Sequence, residues 1–186
     1  MERGQEPGFA PSDLTDGRKL GEWESRYRDP EAKSAIRNEA IYLGVVLACA
    51  LTGLFLVVFV MPEQFPRVSS DALHQFRLYV GAWIAGTLGG TLYTIKWLYH
   101  SVAHNSWNID RTLWRLFTPH VAGALGLSTI LTVASGLFGF FDPSAVDRLP
   151  GVLALGFLSG YFSDSVAAKL ADIATSVFGK TRQHGE

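Results

Sequence analysis

The chain has 186 residues, of which 48% are hydrophobic and 18% charged, and its formal net charge is −1. A balanced charge gives no overall field that would attract nucleic acid, so nucleic-acid binding is not expected. Cys49 is the only cysteine, which excludes an intrachain disulfide and a multi-cysteine metal site.

The first 28 residues combine charges, prolines and glycines without a sustained hydrophobic period. This composition predicts a mostly disordered leader. It contains no short apolar core of the kind that a cleaved signal peptide requires. Residues 29–179 are predicted to form one membrane domain, and residues 180–186 a tail.

The first predicted transmembrane span is 40–61, a run of 22 residues without a charged side chain. As a helix it is about 33 Å long, enough to cross a hydrocarbon core of about 30 Å. Asp29, Pro30 and Glu31 suit an N-cap, a first helical position and a first turn. The helix is therefore expected to begin there and to end before Pro62 and Pro66.

Two further spans follow from the same reasoning. Residues 78–95 lie uncharged between Arg77 and Lys96, on a helix that Ser70 and Asp71 could cap. Residues 116–141 form a run long enough to cross with tilt.

The fourth apolar segment, 149–163, is shorter, at about 23 Å as a helix. It could cross completely, which we favour, or form a re-entrant element buried against the other spans. Residues 164–178 then place Val166, Leu170, Ile173 and Val177 on one helical face, with Gly179 as C-cap. The fold class expected is all-α: four transmembrane helices and a C-terminal cytoplasmic amphipathic helix.

The basic residues indicate the orientation. With four crossings, thirteen of the 16 lysines and arginines lie on the side of the two termini, and Arg67, Arg77 and Arg148 lie on the other. Cytoplasmic loops carry the excess of basic residues, so both termini are predicted to be cytoplasmic. A re-entrant fourth segment would move the basic residues of the tail to the sparse side.

Small residues recur at four-residue spacing within the later spans. This spacing lets helix backbones approach closely in lipid. The packing could be within one chain or between subunits. The predicted helix-packing residues are Ala82, Gly86, Gly89, Gly90, Gly126, Gly156 and Gly160.

A polar and aromatic cluster is predicted at the cytoplasmic interface. Tryptophan and arginine at this depth are typical of a belt at the level of lipid headgroups. His100 and His104, one turn apart, could hold a metal with His120, but no Cys, Glu or H-E-x-x-H pattern supports this. The cluster comprises Trp97, His100, His104, Trp107, Arg111, Trp114, Arg115 and His120.

Asp164 follows the glycine-rich fourth segment. We expect it to cap the amphipathic helix or to be solvated, and the alternative is a ring of Asp164 side chains at the cytoplasmic mouth of an oligomeric pore. The sequence contains no nucleophile elbow and no phosphate-binding loop. No catalytic residue and no cofactor are predicted.

The stretches at 97–123 and 153–174 resemble small uncharacterised bacterial inner-membrane proteins, and the resemblance covers roughly residues 76–179. It implies a bacterial inner membrane and one continuous domain, without an activity or a ligand. The predicted function is an integral membrane protein that acts by association, as a homo-oligomer or with another membrane protein in the lipid bilayer. The alternatives are a pore gated from the cytoplasm and a metal-dependent membrane enzyme.

Overall fold

The computed structural model describes residues 24–60, 70–138 and 142–179. These residues form five α-helices and contain no strand, so the protein is all-α. The helices are α1 (Pro30–Phe55, extended by a π-helical turn, Leu56–Val60), α2 (Ser70–Ala103), α3 (Thr112–Ala134), α4 (Leu149–Tyr161) and α5 (Ser163–Phe178). The predicted leader is described only from residue 24, and the tail lies outside the described residues.

The predicted start of α1 is confirmed. Asp29 is the N-cap, and its Oδ1 accepts a hydrogen bond of 2.9 Å from the backbone N–H of Glu31. This bond satisfies one of the N–H groups that the first helical turn leaves without a partner. Pro62 and Pro66, predicted to end the helix, lie outside the described residues.

A side chain of α2 holds the far end of α1. Arg77 donates from Nε to the carbonyl oxygen of Val57 (3.0 Å) and from Nη2 to that of Val58 (3.4 Å). Both carbonyls belong to the π-helical turn, where the regular α-helical bonding pattern is interrupted. Arg77 therefore ties the end of α1 to the beginning of α2.

The central helix is α2, which packs against α1, α3 and α4. Its small residues allow backbones to meet: a Cβ placed on Gly86 would lie 2.7 Å from the carbonyl oxygen of Ala122, and one on Gly89 would lie 2.2 Å from that of Phe157. No side chain fits in such gaps, so close approach of three helices requires small residues.

The third helix is shorter than its uncharged run. The sequence predicted a span over 116–141, but α3 ends at Ala134, and Gly136 follows with a φ of 76°. A backbone with positive φ leaves the helical conformation, and glycine adopts it without steric cost. The predicted boundary was therefore wrong because absence of charge does not by itself continue a helix.

The fourth segment bends sharply. The axes of Leu149–Tyr161 and Ser163–Ser176 meet at 101°. The N-cap of α5 is Phe162, without a side-chain capping bond, and Asp164 lies in the first turn. The prediction that Asp164 caps the helix was therefore wrong. The apolar stripe is partly buried at Val166, Leu170 and Ile173, and Gly179 is the C-cap as predicted.

Within the described part of the chain, two helical stretches are long and apolar enough to cross a membrane, Pro30–Val60 and Ile109–Ala134. A third is added if the bent pair α4–α5 counts as one span. The four predicted crossings are thus not established by length and composition. The predicted second span lies within α2, which has 34 residues but is not among these stretches.

The glycine contacts predict a difference between two alanine substitutions. A Cβ at Gly160 would lie 2.0 Å from the backbone oxygen of Gly86, whereas a Cβ at Gly44 meets nothing within 4 Å. We expect Gly160→Ala to lower the free energy of unfolding by about 1–3 kcal/mol because a helix must move. Gly44→Ala should be neutral or slightly stabilising. Thermal unfolding in detergent measures both, and equal effects would contradict the close approach.

Candidate functional site

An ion pair is buried where α1 lies beside α3. Glu39 and Arg115 each expose only 3% of the side chain. Arg115 Nε donates to Glu39 Oε2 at 2.7 Å, and its Nη2 donates to Oε1 at 2.9 Å. The two residues are 76 positions apart in sequence. This bidentate pairing fixes the helices in both distance and rotation.

Two more donors complete the surroundings of the Glu39 carboxylate. Trp107 Nε1 donates to Oε2 at 3.1 Å, and the hydroxyl of Thr112 donates to Oε1. The guanidinium of Arg115 also lies 5.6 Å from the centre of the Trp107 ring. The carboxylate thus receives four hydrogen bonds, which offset the cost of removing it from water.

The segment between α2 and α3 positions these donors. The side chain of Asn108 caps the 3₁₀ turn Ile109–Arg111 by accepting from the N–H of Asp110 at 2.9 Å. The carbonyl oxygen of Asn108 accepts a second bond from Arg115 Nη2, also at 2.9 Å. Capping of the turn therefore places Thr112 and Arg115 where α1 can meet them.

Two tyrosines connect the N-terminal part of the chain to the same end of the bundle. The hydroxyl of Tyr27 accepts from the N–H of Trp107 at 3.0 Å and donates to the carbonyl oxygen of Ser101 at 3.3 Å. The hydroxyl of Tyr42 donates to the carbonyl oxygen of Leu116 at 2.9 Å and lies 2.7 Å from His120 Nε2. Each bond links segments more than 70 positions apart.

A half-open cavity of about 390 Å³ adjoins the ion pair. Aromatic side chains of α2 and α3 form much of its wall, and two arginines supply its charged groups. The residues that line it are Tyr93, Trp97, Ser101, Arg111, Trp114 and Arg115.

Trp114 also lines a second cavity, of about 420 Å³. Its wall is mostly apolar, from residues of α3 such as Phe117 and Val121, and it includes Ser163 and Asp164 at the start of α5. Asp164 is exposed, as expected for a solvated residue.

The structure brings most of the predicted interface cluster together, but not as one site. Trp107 and Arg115 share the ion-pair network, and Trp97, Arg111 and Trp114 line the adjoining cavity. The rings of His100 and His104 lie 5.9 Å apart, whereas His120 contacts Tyr42. Among the described residues, no group of three or more His, Cys, Asp or Glu could hold a metal ion.

The predicted helix-packing residues line contacts inside one chain. Ala82 faces Gly126 and Gly156, Gly86 faces Gly160, and Gly90 faces Ala122. Gly89 faces the backbone of α4. These residues are therefore occupied by intrachain packing, and association with another chain must use a different surface.

Sequence reasoning missed Glu39. No role is predicted for it from the sequence, whereas it is the most buried acid among the described residues. A signal was present: Glu39 and Arg115 each stand directly before a long uncharged run, and both runs begin at the same predicted interface. Opposite charges at equal depth on neighbouring spans are candidates for pairing.

Comparisons with protein-family models, with curated proteins and with solved structures gave no match.

The buried pair makes a prediction about stability. Arg115→Met leaves the Glu39 carboxylate buried without its counter-ion, so it should lower the free energy of unfolding by about 3–5 kcal/mol. Replacing both residues, Glu39→Met with Arg115→Met, removes the unpaired charge and should recover most of that loss. Unfolding in detergent, monitored by circular dichroism, gives the free energy of unfolding of the wild type, of Arg115→Met and of the double variant.

A matched control is the exposed pair of Lys169 and Asp172, whose charged atoms lie 3.5 Å apart. Lys169→Met should change stability by less than about 1 kcal/mol, because water screens this pair. A double variant as unstable as Arg115→Met alone would show that the stabilisation does not come from charge compensation.

Proposed function

We propose that this is an integral membrane protein of the bacterial inner membrane whose α1, α2, α3 and α4 all cross the bilayer. The observation that carries the proposal is that α2 and α4 lie alongside α3, one of the two stretches apolar and long enough to cross. Gly90 of α2 meets Thr118 of α3, and Ala82 meets Gly126. The two helices are therefore antiparallel and cover the same depth, so a bilayer crossed by α3 is crossed by α2.

The register of α4 supports a complete crossing. Leu149 and Leu153 meet Gly81 at one end, Gly160 meets Gly86, and Tyr161 stacks edge-on against Tyr93 at the other end. Although α4 has only 13 residues, it thus runs parallel to most of the uncharged part of α2. After it the 101° bend turns α5 away, which suits a helix lying along the membrane surface.

The ion-pair end of the bundle is assigned to the cytoplasm. It contains the start of α1, the α2–α3 connection and the start of α5. With this assignment the basic residues follow the positive-inside rule, thirteen against three.

Cysteine accessibility tests the topology. In a Cys49→Ala background, single cysteines replace Asp110, Asp147 or Thr175, all exposed. In spheroplasts, an impermeant maleimide should label Asp147→Cys and should leave Asp110→Cys and Thr175→Cys unlabelled until the membrane is opened. Labelling of Thr175→Cys together with Asp147→Cys would instead establish a re-entrant fourth segment.

We further propose that the protein acts by association of α1 with a second copy of the chain. In the most apolar stretch of α1, 17% of the residues are buried, whereas 44% are buried in the corresponding stretch of α3. Large apolar side chains, including Ile41, Val45 and Phe59, are more than half exposed. The first helix is thus less covered than α3.

The exposed face of α1 carries small residues at four-residue spacing: Gly44, Ala48 and Thr52. A Cβ built on Gly44 would have no contact within 4 Å apart from its chain neighbours and the backbone of its own helix. Unlike the glycines of α2 and α4, these residues leave a shallow groove that a second helix could fill, and small residues at this spacing favour helix association in lipid. Cys49 is exposed on the same helix.

A cysteine on this face provides the test, because Cys49 itself lies about 100° around the helix from Ala48. In a Cys49→Ala background, oxidation of membranes with copper phenanthroline should join two Ala48→Cys chains if α1 packs on α1, because the two thiols would face each other. Gly44→Leu should reduce the disulfide-linked dimer several-fold by separating the helices. Gel electrophoresis under non-reducing conditions measures the dimer.

Ala124→Leu is the matched control, since it enlarges an exposed small residue of α3 and should leave the dimer unchanged. Equal loss in both variants, or a strict monomer by native mass spectrometry with no dimer on oxidation, would contradict association through α1.

A further inference from the structure

The guanidinium of Arg115 is not fully paired. An arginine has five N–H donors, of which Nε and Nη2 serve Glu39 and the carbonyl oxygen of Asn108. Among the described residues, Nη1 has no hydrogen-bond partner, although the side chain is 97% buried. Buried donors are nearly always satisfied by protein groups or ordered water, so this nitrogen can donate to a group that the described residues do not supply.

The cavity beside Arg115 can receive that group. Arg115 lines it together with Arg111, which is exposed. Glu39 compensates the charge of Arg115, so the positive charge of the cavity comes from Arg111. The two side chains are four positions apart, one on the 3₁₀ turn and one on the first turn of α3. Both residues line one space, and arginine side chains suit an anion with several acceptor oxygens.

The rest of the wall favours an amphipathic ligand. Trp97 and Trp114 are each 46% exposed, and Tyr93 lies between them, within 6.4 Å of each by ring centroid. Aromatic rings beside arginines are typical of the depth of lipid headgroups, where one part of a ligand is charged and the next apolar. A small hydrated anion would leave these rings without a contact.

We propose that this cavity binds the phosphate group of an anionic phospholipid. Arg111 and Nη1 of Arg115 donate to the phosphate oxygens, and Tyr93, Trp97 and Trp114 pack against the glycerol and the first methylene groups. The proposal rests on the proposed membrane insertion, because insertion places the cavity at headgroup depth.

Native mass spectrometry of the full chain in detergent tests the site, with phosphatidylglycerol and phosphatidylcholine of identical acyl chains. The wild type should retain phosphatidylglycerol in preference to phosphatidylcholine. Arg111→Gln removes an exposed arginine with no role in the ion pair, and it should weaken phosphatidylglycerol binding about tenfold, the effect of losing one charge-assisted hydrogen bond. Arg148→Gln makes the same charge change at the opposite end and should have no effect.

Glycerol phosphate and inorganic phosphate, added at millimolar concentration, distinguish the source of the phosphate. A lipid site keeps its phosphatidylglycerol in their presence. Displacement of the lipid by either one, or binding of either one with the same dependence on Arg111, would assign the cavity to a soluble phosphate and overturn the lipid proposal. Equal retention of both lipids, or equal losses in Arg111→Gln and Arg148→Gln, would also overturn it.

Alkaline extraction of the same membranes separates the two proposals. Protein released by alkali contradicts membrane insertion itself. Protein that stays in the membrane but does not discriminate between the lipids contradicts only the phosphate site.

Discussion

The buried pair of Glu39 and Arg115 is the constraint on which the arrangement of this protein depends. An unpaired charge inside a helical membrane bundle is costly, and the cost falls only when a partner approaches in the correct geometry. Here the partner residue lies 76 positions further along the chain. Two further side chains also donate hydrogen bonds to the carboxylate. The pair sets how α1 sits against the tightly packed unit of α2, α3 and α4, which small residues hold together by backbone contact.

The two ends of α1 are held by different means. At one end, the carboxylate of Glu39 accepts hydrogen bonds from α3 and from the loop that precedes α3. At the other end Arg77 of α2 donates to two carbonyl oxygens of the π-helical turn. Between these points most of the helix surface is uncovered, so polar contacts rather than extensive packing determine its position. This division leaves a long apolar face free for lipid or for another helix.

Much of the fold was predictable because charge and capping are local properties. The uncharged run after Ala40 and the cap at Asp29 sufficed to place α1, and the spacing of Val166, Leu170 and Ile173 sufficed for the stripe of α5. Errors arose where tertiary context or a single backbone angle decides: Gly136 ends α3 inside an uncharged run, and Phe162 takes the cap position expected of Asp164. The pairing of Glu39 with Arg115 needed knowledge of which spans are neighbours, and one sequence does not contain that information.

The distance between the two charges along the chain also has a consequence for biosynthesis. In the proposed topology, Glu39 has no partner when α1 leaves the ribosome, and it lies at the membrane surface until α3 has been made. In the same topology, the very apolar stretch that follows Glu39, with a mean hydropathy of 2.8, is long and apolar enough to hold α1 in the bilayer during this interval. Closure of the ion pair would then mark the moment at which separate inserted helices become one assembled bundle.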